Sequence, residues 1–149
     1  MSKNELLRYI VLILFCIFIS REDIRTRCIK NKQLLAALGV AVPLVLVSMS
    51  KDTCLSCLLG MVLGFLISFL VSWFSKEGIG MGDVKLIAVA GFYLGATALG
   101  NAVFWGLVLV LLFGLIRLLQ KKATKKTEFP FAPFFTGGII IAFCLQIAF

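Results

Sequence analysis

Apolar residues form long runs along the chain, and short segments between these runs hold most of the charges. A run of about 18 apolar residues is long enough to cross the hydrocarbon core of a bilayer as a helix. The pattern predicts six spans, at residues 5–20, 34–49, 53–74, 86 to about 95, 102–119 and 135–149. We therefore expect an all-α fold, a polytopic membrane bundle of about six transmembrane helices, with a polar loop over residues 21–33.

The boundary between the fourth and fifth spans falls inside a long uncharged stretch. Residues 86–116 carry no charge, and as a single helix they would measure roughly 45 Å, whereas the hydrocarbon core measures roughly 30 Å. Gly95, Gly100 and Asn101 are residues that form tight turns, so we place the break there. A pair of glycines in the third span, Gly60 and Gly64, predicts a face on which another helix packs closely.

Composition supports the membrane class. Hydrophobic residues make up 61% of the 149 residues, and a soluble single domain could not bury that much apolar surface. At this length, with short charged connections, there is room for one bundle and no separate globular domain. We expect a single membrane-embedded domain over residues 1–149, in contact with a lipid bilayer.

The net charge of +8 is concentrated in three basic clusters beside the predicted spans. Basic residues close to the ends of transmembrane helices mark the cytoplasmic loops. The clusters therefore predict a multi-pass protein of the cell membrane with basic loops in the cytoplasm and both termini outside. Because the charge has this explanation, we do not expect binding to nucleic acid.

The cysteines do not form a recognisable metal motif. The chain has five cysteines and no histidine, and its one CxxC pair, Cys54 and Cys57, has no second pair to complete a zinc site. We expect no metal and no cofactor, and we interpret the cysteines as small packing residues.

Two aspartates stand beside predicted spans. Asp83 ends a glycine-spaced turn over residues 78–83, and Asp23 follows the first span. Two membrane crossings separate them, so both lie on the same face, which the basic loops mark as cytoplasmic. An ionisable group at the edge of a membrane segment is a functional-site hypothesis. The alternatives are an ordinary turn for Asp83 and a solvated loop charge, neutralised by neighbouring arginines, for Asp23.

A pair of carboxyl groups can hydrolyse a peptide bond. When two carboxyls share a site, one keeps a proton while the other is ionised, so one activates water and the other protonates the carbonyl oxygen. The absence of histidine weakens a Ser/His or Cys/His mechanism. Glu22 and Glu77 are the nearest alternative acids, and Asp52 lies on the opposite side of the predicted bundle.

Three segments resemble the type IV prepilin peptidases, a family of intramembrane aspartic proteases. The segment Gly80-Met81-Gly82-Asp83 resembles the GxGD signature of that family. The segment Ile29-Lys30-Asn31, which follows Asp23, resembles its Ile-Pro-Asn element. Residues 129–134, Phe-Pro-Phe-Ala-Pro-Phe, resemble its Pro-Phe-Gly-Pro segment. Lys30 stands where proline is usual and Ala132 where glycine is usual.

The resemblance implies a catalytic pair, Asp23 and Asp83, with Gly80 and Gly82 allowing the backbone to approach the substrate. It implies prepilin-like substrates, namely pilin, pseudopilin or archaellin-type precursors, whose short basic leader is cut at the cytoplasmic boundary. Larger bacterial members of the family also carry a methylating region with paired CxxC motifs, and we expect a peptidase-only short form. We interpret Lys85 as a lysine at the membrane edge rather than a group that tunes the site.

A function of another class is compatible with an aspartate pair. A non-enzymatic scaffold or a small proton- or cation-coupled transporter could use Asp23 and Asp83 as a relay. Such a relay does not require the three resembling segments in this order, and processing of a prepilin-like substrate would separate the two hypotheses. The sequence leaves the oligomeric state and the particular substrate open.

Overall fold

The structure, a computed structural model, describes residues 3–26, 29–47, 51–74, 80–120 and 131–148. These residues form six helices and no strand, which confirms the all-α prediction. The helices are α1 Lys3–Thr26, α2 Asn31–Val47, α3 Lys51–Phe74, α4 Met81–Leu94, α5 Ala96–Leu119 and α6 Phe131–Ala148.

Length and composition identify three of these helices as candidate membrane spans. They are Asp52–Phe74, Ala96–Leu119 and Phe131–Ala148, and α2 is a shorter apolar helix. Large apolar side chains on α3 and α5 point away from the bundle: Trp73 is 72% exposed and Leu111 is 71% exposed. Such surfaces are suited to contact with lipid. Six separate crossings of the membrane remain a prediction.

Several predicted boundaries are wrong by one or two turns. α1 continues to Thr26 and α4 begins at Met81, so Asp23 and Asp83 lie in helices rather than in loops. The buried residues of α1 include Cys16, Ile19 and Asp23, which recur at helical spacing and carry the inward face past the apolar run. α6 begins at Phe131 rather than at residue 135, because a proline is tolerated in the first turn of a helix.

The break between α4 and α5 is a single residue. Gly95 has φ 81°, a conformation that glycine adopts without steric cost, and a Cβ there would lie 2.6 Å from the Ser56 Oγ. Gly100 and Asn101, which were predicted to share the turn, are instead helical residues of α5. One glycine with a positive φ changes the direction of the chain, and a turn of several residues is not required.

Glycines bring the helices together in two close pairs. A Cβ on Gly60 would lie 2.5 Å from the Gly91 carbonyl oxygen, which confirms the predicted close packing and pairs α3 with α4. A Cβ on Gly138 would lie 2.3 Å from the Ala102 carbonyl oxygen, so α5 and α6 approach just as closely. The short helix α4 is buried along nearly its whole length and forms the centre of the bundle.

Candidate active site

Four helix ends meet at one end of the bundle. The last turn of α1 carries Asp23, and α2, α4 and α6 begin close to it with Asn31, Asp83 and Ala132 in their first turns. Asp23 is only 6% exposed, and Asp83 is half-buried. The structure thus brings together residues from three segments that are far apart in the sequence.

Asp23 is bound by the start of α6. Its Oδ2 accepts a hydrogen bond of 3.2 Å from the backbone N–H of Ala132. The first N–H groups of a helix lack partners within the helix and carry its positive dipole end, so a carboxylate is well placed there. Ala132 donates this bond through its backbone, and the usual glycine is not required for it.

Asp83 is held by its own helix start. Gly80 is the N-cap of α4, in an extended conformation, and its carbonyl accepts the N–H of Asp83 at 3.0 Å. The backbone N–H of Gly80 in turn hydrogen-bonds the Asp83 carboxyl. The bond from the Gly80 N–H to an acid at the third helical position is the half of a capping box that a glycine N-cap can form. The carboxyl is therefore fixed in direction before any substrate binds.

The segment after α1 packs directly on this helix start. A Cβ on Gly82 would lie 3.1 Å from the Ile29 Cβ, so the glycine makes room for Ile29. The Asn31 Oδ1 accepts a hydrogen bond of 3.0 Å from the Lys85 Nζ. The Ile-x-Asn element and the GxGD element therefore form one contact surface around the two aspartates.

The two carboxyls affect each other's ionisation. Burial raises the pKa of Asp83 to about 6, and the negative charge of nearby Asp23 adds to the rise, against the Gly80 hydrogen bond. Burial also raises the pKa of Asp23, against the hydrogen bond from Ala132. Two coupled carboxyls with raised pKa values hold one shared proton more readily than two isolated carboxyls do.

Comparison with known proteins identifies the family. The model of the type IV leader peptidase family matches residues 10–115. The chain belongs to this family. A prepilin leader peptidase/N-methyltransferase from Bacillus subtilis (strain 168) is 33% identical over 139 residues, which cover 93% of this chain and 56% of that relative. The chain thus spans about half of the relative's length, and no solved structure matches it significantly.

The lysine that departs from the leader peptidase pattern has an ionic partner. Lys30 forms an ion pair with Glu22, and the Gln33 Nε2 donates a hydrogen bond of 2.8 Å to the same carboxylate. The hydrogen bond from Lys30, followed by that from Gln33, lowers the pKa of Glu22. Glu22 is thus an ionised carboxylate that binds Lys30 and Gln33. Because it is ionised and already paired, it is disfavoured as an alternative catalytic acid.

The alternative in which Asp23 is a solvated loop charge is wrong, because the side chain is buried and its hydrogen bond comes from a backbone amide. Asp52 lies in the first turn of α3, at the opposite end of the bundle, and Glu77 lies outside the described residues. Among the described residues, no group of three or more Cys, Asp or Glu side chains is placed to hold a metal.

Sequence reasoning missed the role of Lys85 as the partner of Asn31. A lysine near a membrane segment has an adequate explanation in its position, and nothing in the local sequence connects residues 31 and 85. The contact could have been suspected because Asn31 belongs to the Ile-x-Asn element and Lys85 follows the GxGD element closely.

Proposed function

We propose that the protein is a membrane aspartic endopeptidase that removes the short basic leader from type IV prepilin-like precursors at the cytoplasmic boundary of the cell membrane. The observation that supports this most directly is the pair of buried Asp23 and half-buried Asp83 at one end of a helical bundle, in which the charge on Asp23 raises the pKa of Asp83. Membership of the leader peptidase family supports the reaction class and leaves a transporter with less support.

In the proposed reaction, Asp23 is the ionised member of the pair and Asp83 the protonated one. The Ala132 N–H stabilises the charge on Asp23, and the raised pKa of Asp83 favours its proton. Asp23 removes a proton from water as that water attacks the scissile carbonyl, while Asp83 donates its proton to the carbonyl oxygen. The resulting tetrahedral species breaks down when Asp23 passes its proton to the leaving amine and Asp83 takes a proton back from a hydroxyl of that species. Both carboxyls thus return to their starting states, and no covalent intermediate forms.

Substrate recognition is proposed to rest on apolar contact. The leader and the loops around the site are both basic, so charge does not attract the leader. The apolar helix that follows the leader would lie against the exposed apolar faces of the bundle, with the scissile bond extended beside Asp83. Gly80 and Gly82, at the start of α4, would let the substrate backbone approach. The active site would face the cytoplasm, with both termini outside.

Co-expression with a prepilin-like substrate tests this proposal. Asp23→Asn and Asp83→Asn preserve side-chain shape but remove the shared proton system, and we expect each to reduce cleavage by roughly 10³-fold or more. Asp52→Asn is the matched control, because Asp52 is an exposed aspartate in the first turn of α3, and it should cleave at the wild-type rate. Wild-type cleavage by either site variant, with the protein present in the membrane, would contradict the proposal.

A further inference from the structure

A buried arginine lies at the end of the bundle opposite the aspartates. Arg8 precedes Asp23 by 15 positions on α1, which separates the two residues by roughly 22 Å along the helix. Arg8 is 4% exposed, and its Nη1 donates a hydrogen bond of 3.1 Å to the Cys57 Sγ. Its Nε has no hydrogen-bond partner within the described parts of the chain. The leader peptidase mechanism does not use this group.

A neutral thiol is a poor partner for a buried guanidinium. Removing an arginine from water is costly unless an anion or several good acceptors replace the water, and a thiol sulfur is a weak acceptor. A thiolate is a much better partner, because it is an anion. The Arg8 guanidinium lies against the Cys57 sulfur, so it is placed to stabilise the negative charge that develops there when Cys57 reacts.

Cys57 has a second cysteine one turn away. Cys54 and Cys57 lie near the start of α3, and residues three apart in a helix have Cα atoms roughly 5 Å apart, within the range that a disulfide spans. Cys54 is partly exposed, whereas Cys57 is buried, and both are free thiols. One cysteine is thus accessible and the other is paired with a buried cation.

The other described cysteines lack this arrangement. Cys16 is as buried as Cys57, but no hydrogen bond connects it to a charged group among the described residues. Cys144 is exposed on α6 and has no second cysteine one turn away. Packing explains Cys16, but it does not explain why an arginine is buried against the second cysteine of a CxxC pair.

We propose that Cys54 and Cys57 form a dithiol pair that exchanges with disulfides, a site separate from the aspartate pair. The Cys54 thiolate attacks one sulfur of an external disulfide, R–S–S–R, forming a mixed disulfide and releasing R–S⁻. Cys57, stabilised as a thiolate by Arg8, then attacks the Cys54 sulfur and releases the second R–S⁻. The two cysteines lose two electrons and two protons, and the external disulfide is reduced to two thiols.

The proposed pair suits the side of the membrane on which it would lie. If the aspartates face the cytoplasm, the end of the bundle with Cys54 faces outward, where disulfides form and persist. In the reverse reaction the Arg8 guanidinium stabilises Cys57 as the leaving group, so the same contact serves both directions.

The full chain in detergent micelles, exposed to oxidised glutathione and then alkylated, provides the test. Peptide mass spectrometry should show Cys54 and Cys57 joined in one disulfide, while exposed Cys144 retains a glutathione adduct. Cys57→Ser should retain the adduct on Cys54, and Cys144→Ser, the matched control, should oxidise as wild type does. In the Arg8→Gln protein, Cys57 should displace glutathione from Cys54 at least roughly tenfold more slowly than in wild type. Arg8→Lys should recover part of that rate.

Three results would overturn the proposal. The first is a wild-type protein whose Cys54 and Cys57 stay reduced while Cys144 reacts. The second is a lasting adduct on Cys54 in the wild type. The third is an Arg8→Gln protein that resolves the adduct at the wild-type rate. The first two use only the unmodified chain, so they decide the matter even if the arginine variants fold poorly, and none depends on leader cleavage.

Discussion

The two ends of α1 both bury a charged side chain, but they compensate for the burial in different ways. Asp23 accepts a backbone N–H from the start of α6 and lies beside a second carboxyl that can share a proton. Arg8 contacts one thiol sulfur and keeps a guanidinium N–H without a partner in the described chain. The carboxyl end therefore depends on backbone positions from several segments, whereas the contact described at the arginine end joins two side chains.

The strongest test of this contrast is a methyl group added at Gly82. In Gly82→Ala the new Cβ would lie 3.1 Å from the Ile29 Cβ, so Ile29 and the start of α4 must move apart by a few tenths of an ångström. We expect leader cleavage to fall roughly tenfold. Ile29→Ala in the same chain should recover most of the rate, because it removes the crowding. Gly100→Ala is the control, since no atom lies within 4 Å of its added Cβ. Equal rates for Gly82→Ala and wild type would show that the carboxyl end tolerates backbone movement.

A smaller effect is expected in stability. The pKa of Asp83 is about 6 in the fold, above its ordinary value of 3.8, so this group stabilises the fold fully below pH 3.8 and loses that contribution as the pH rises through 6. The side chain is half-buried and partly screened, so we expect a loss of about 1 kcal/mol. Asp83→Asn should remove this pH dependence and unfold at a higher temperature than wild type at pH 8. If the unfolding temperatures of both proteins changed with pH in the same way from pH 4 to 8, this prediction would be contradicted.

The smallest effect concerns the contact between Asn31 and Lys85. The bond is exposed, and exposed polar contacts contribute little, so we expect a coupling of about 0.5 kcal/mol in the cleavage rate. Asn31→Ala and Lys85→Met should each slow cleavage about twofold, and the double variant should be no slower than either single variant. Additive effects would mean that the two side chains act independently.

Helical periodicity and charge were sufficient to predict much of the fold. The long apolar runs identified the helices, and Gly95 marked a break because glycine alone adopts its conformation without cost. The helix ends were harder to predict, because the run of apolar residues ends before the buried face of the helix does. Asp23 is polar, so the pattern assigned it to a loop, although it continues the buried stripe of Cys16 and Ile19.

The candidate site, like the fold, could be predicted from the sequence only in part. Asp23 and Asp83 could be selected from a short list of acids, and their shared end of the bundle followed from counting crossings. The contact between Asp23 and Ala132 could not be predicted, because it uses a backbone N–H that any residue except proline supplies. The pairing of Arg8 with Cys57 was hidden for another reason: an arginine near the start of a span and a lone CxxC each have an ordinary explanation when they are read separately.

The short length of α4 bears on how deep in the bilayer the proposed reaction would take place. Its 14 residues extend roughly 21 Å, whereas the hydrocarbon layer is roughly 30 Å thick. Gly95 ends this helix at one side, and Asp83 lies in its first turn at the other. In the proposed orientation, with its far end at the opposite surface, α4 would leave the carboxyls several ångströms below the level of the lipid headgroups unless the bilayer thins around it. In the proposed peptidase, lipid thickness would thus determine how readily water reaches Asp23 and Asp83.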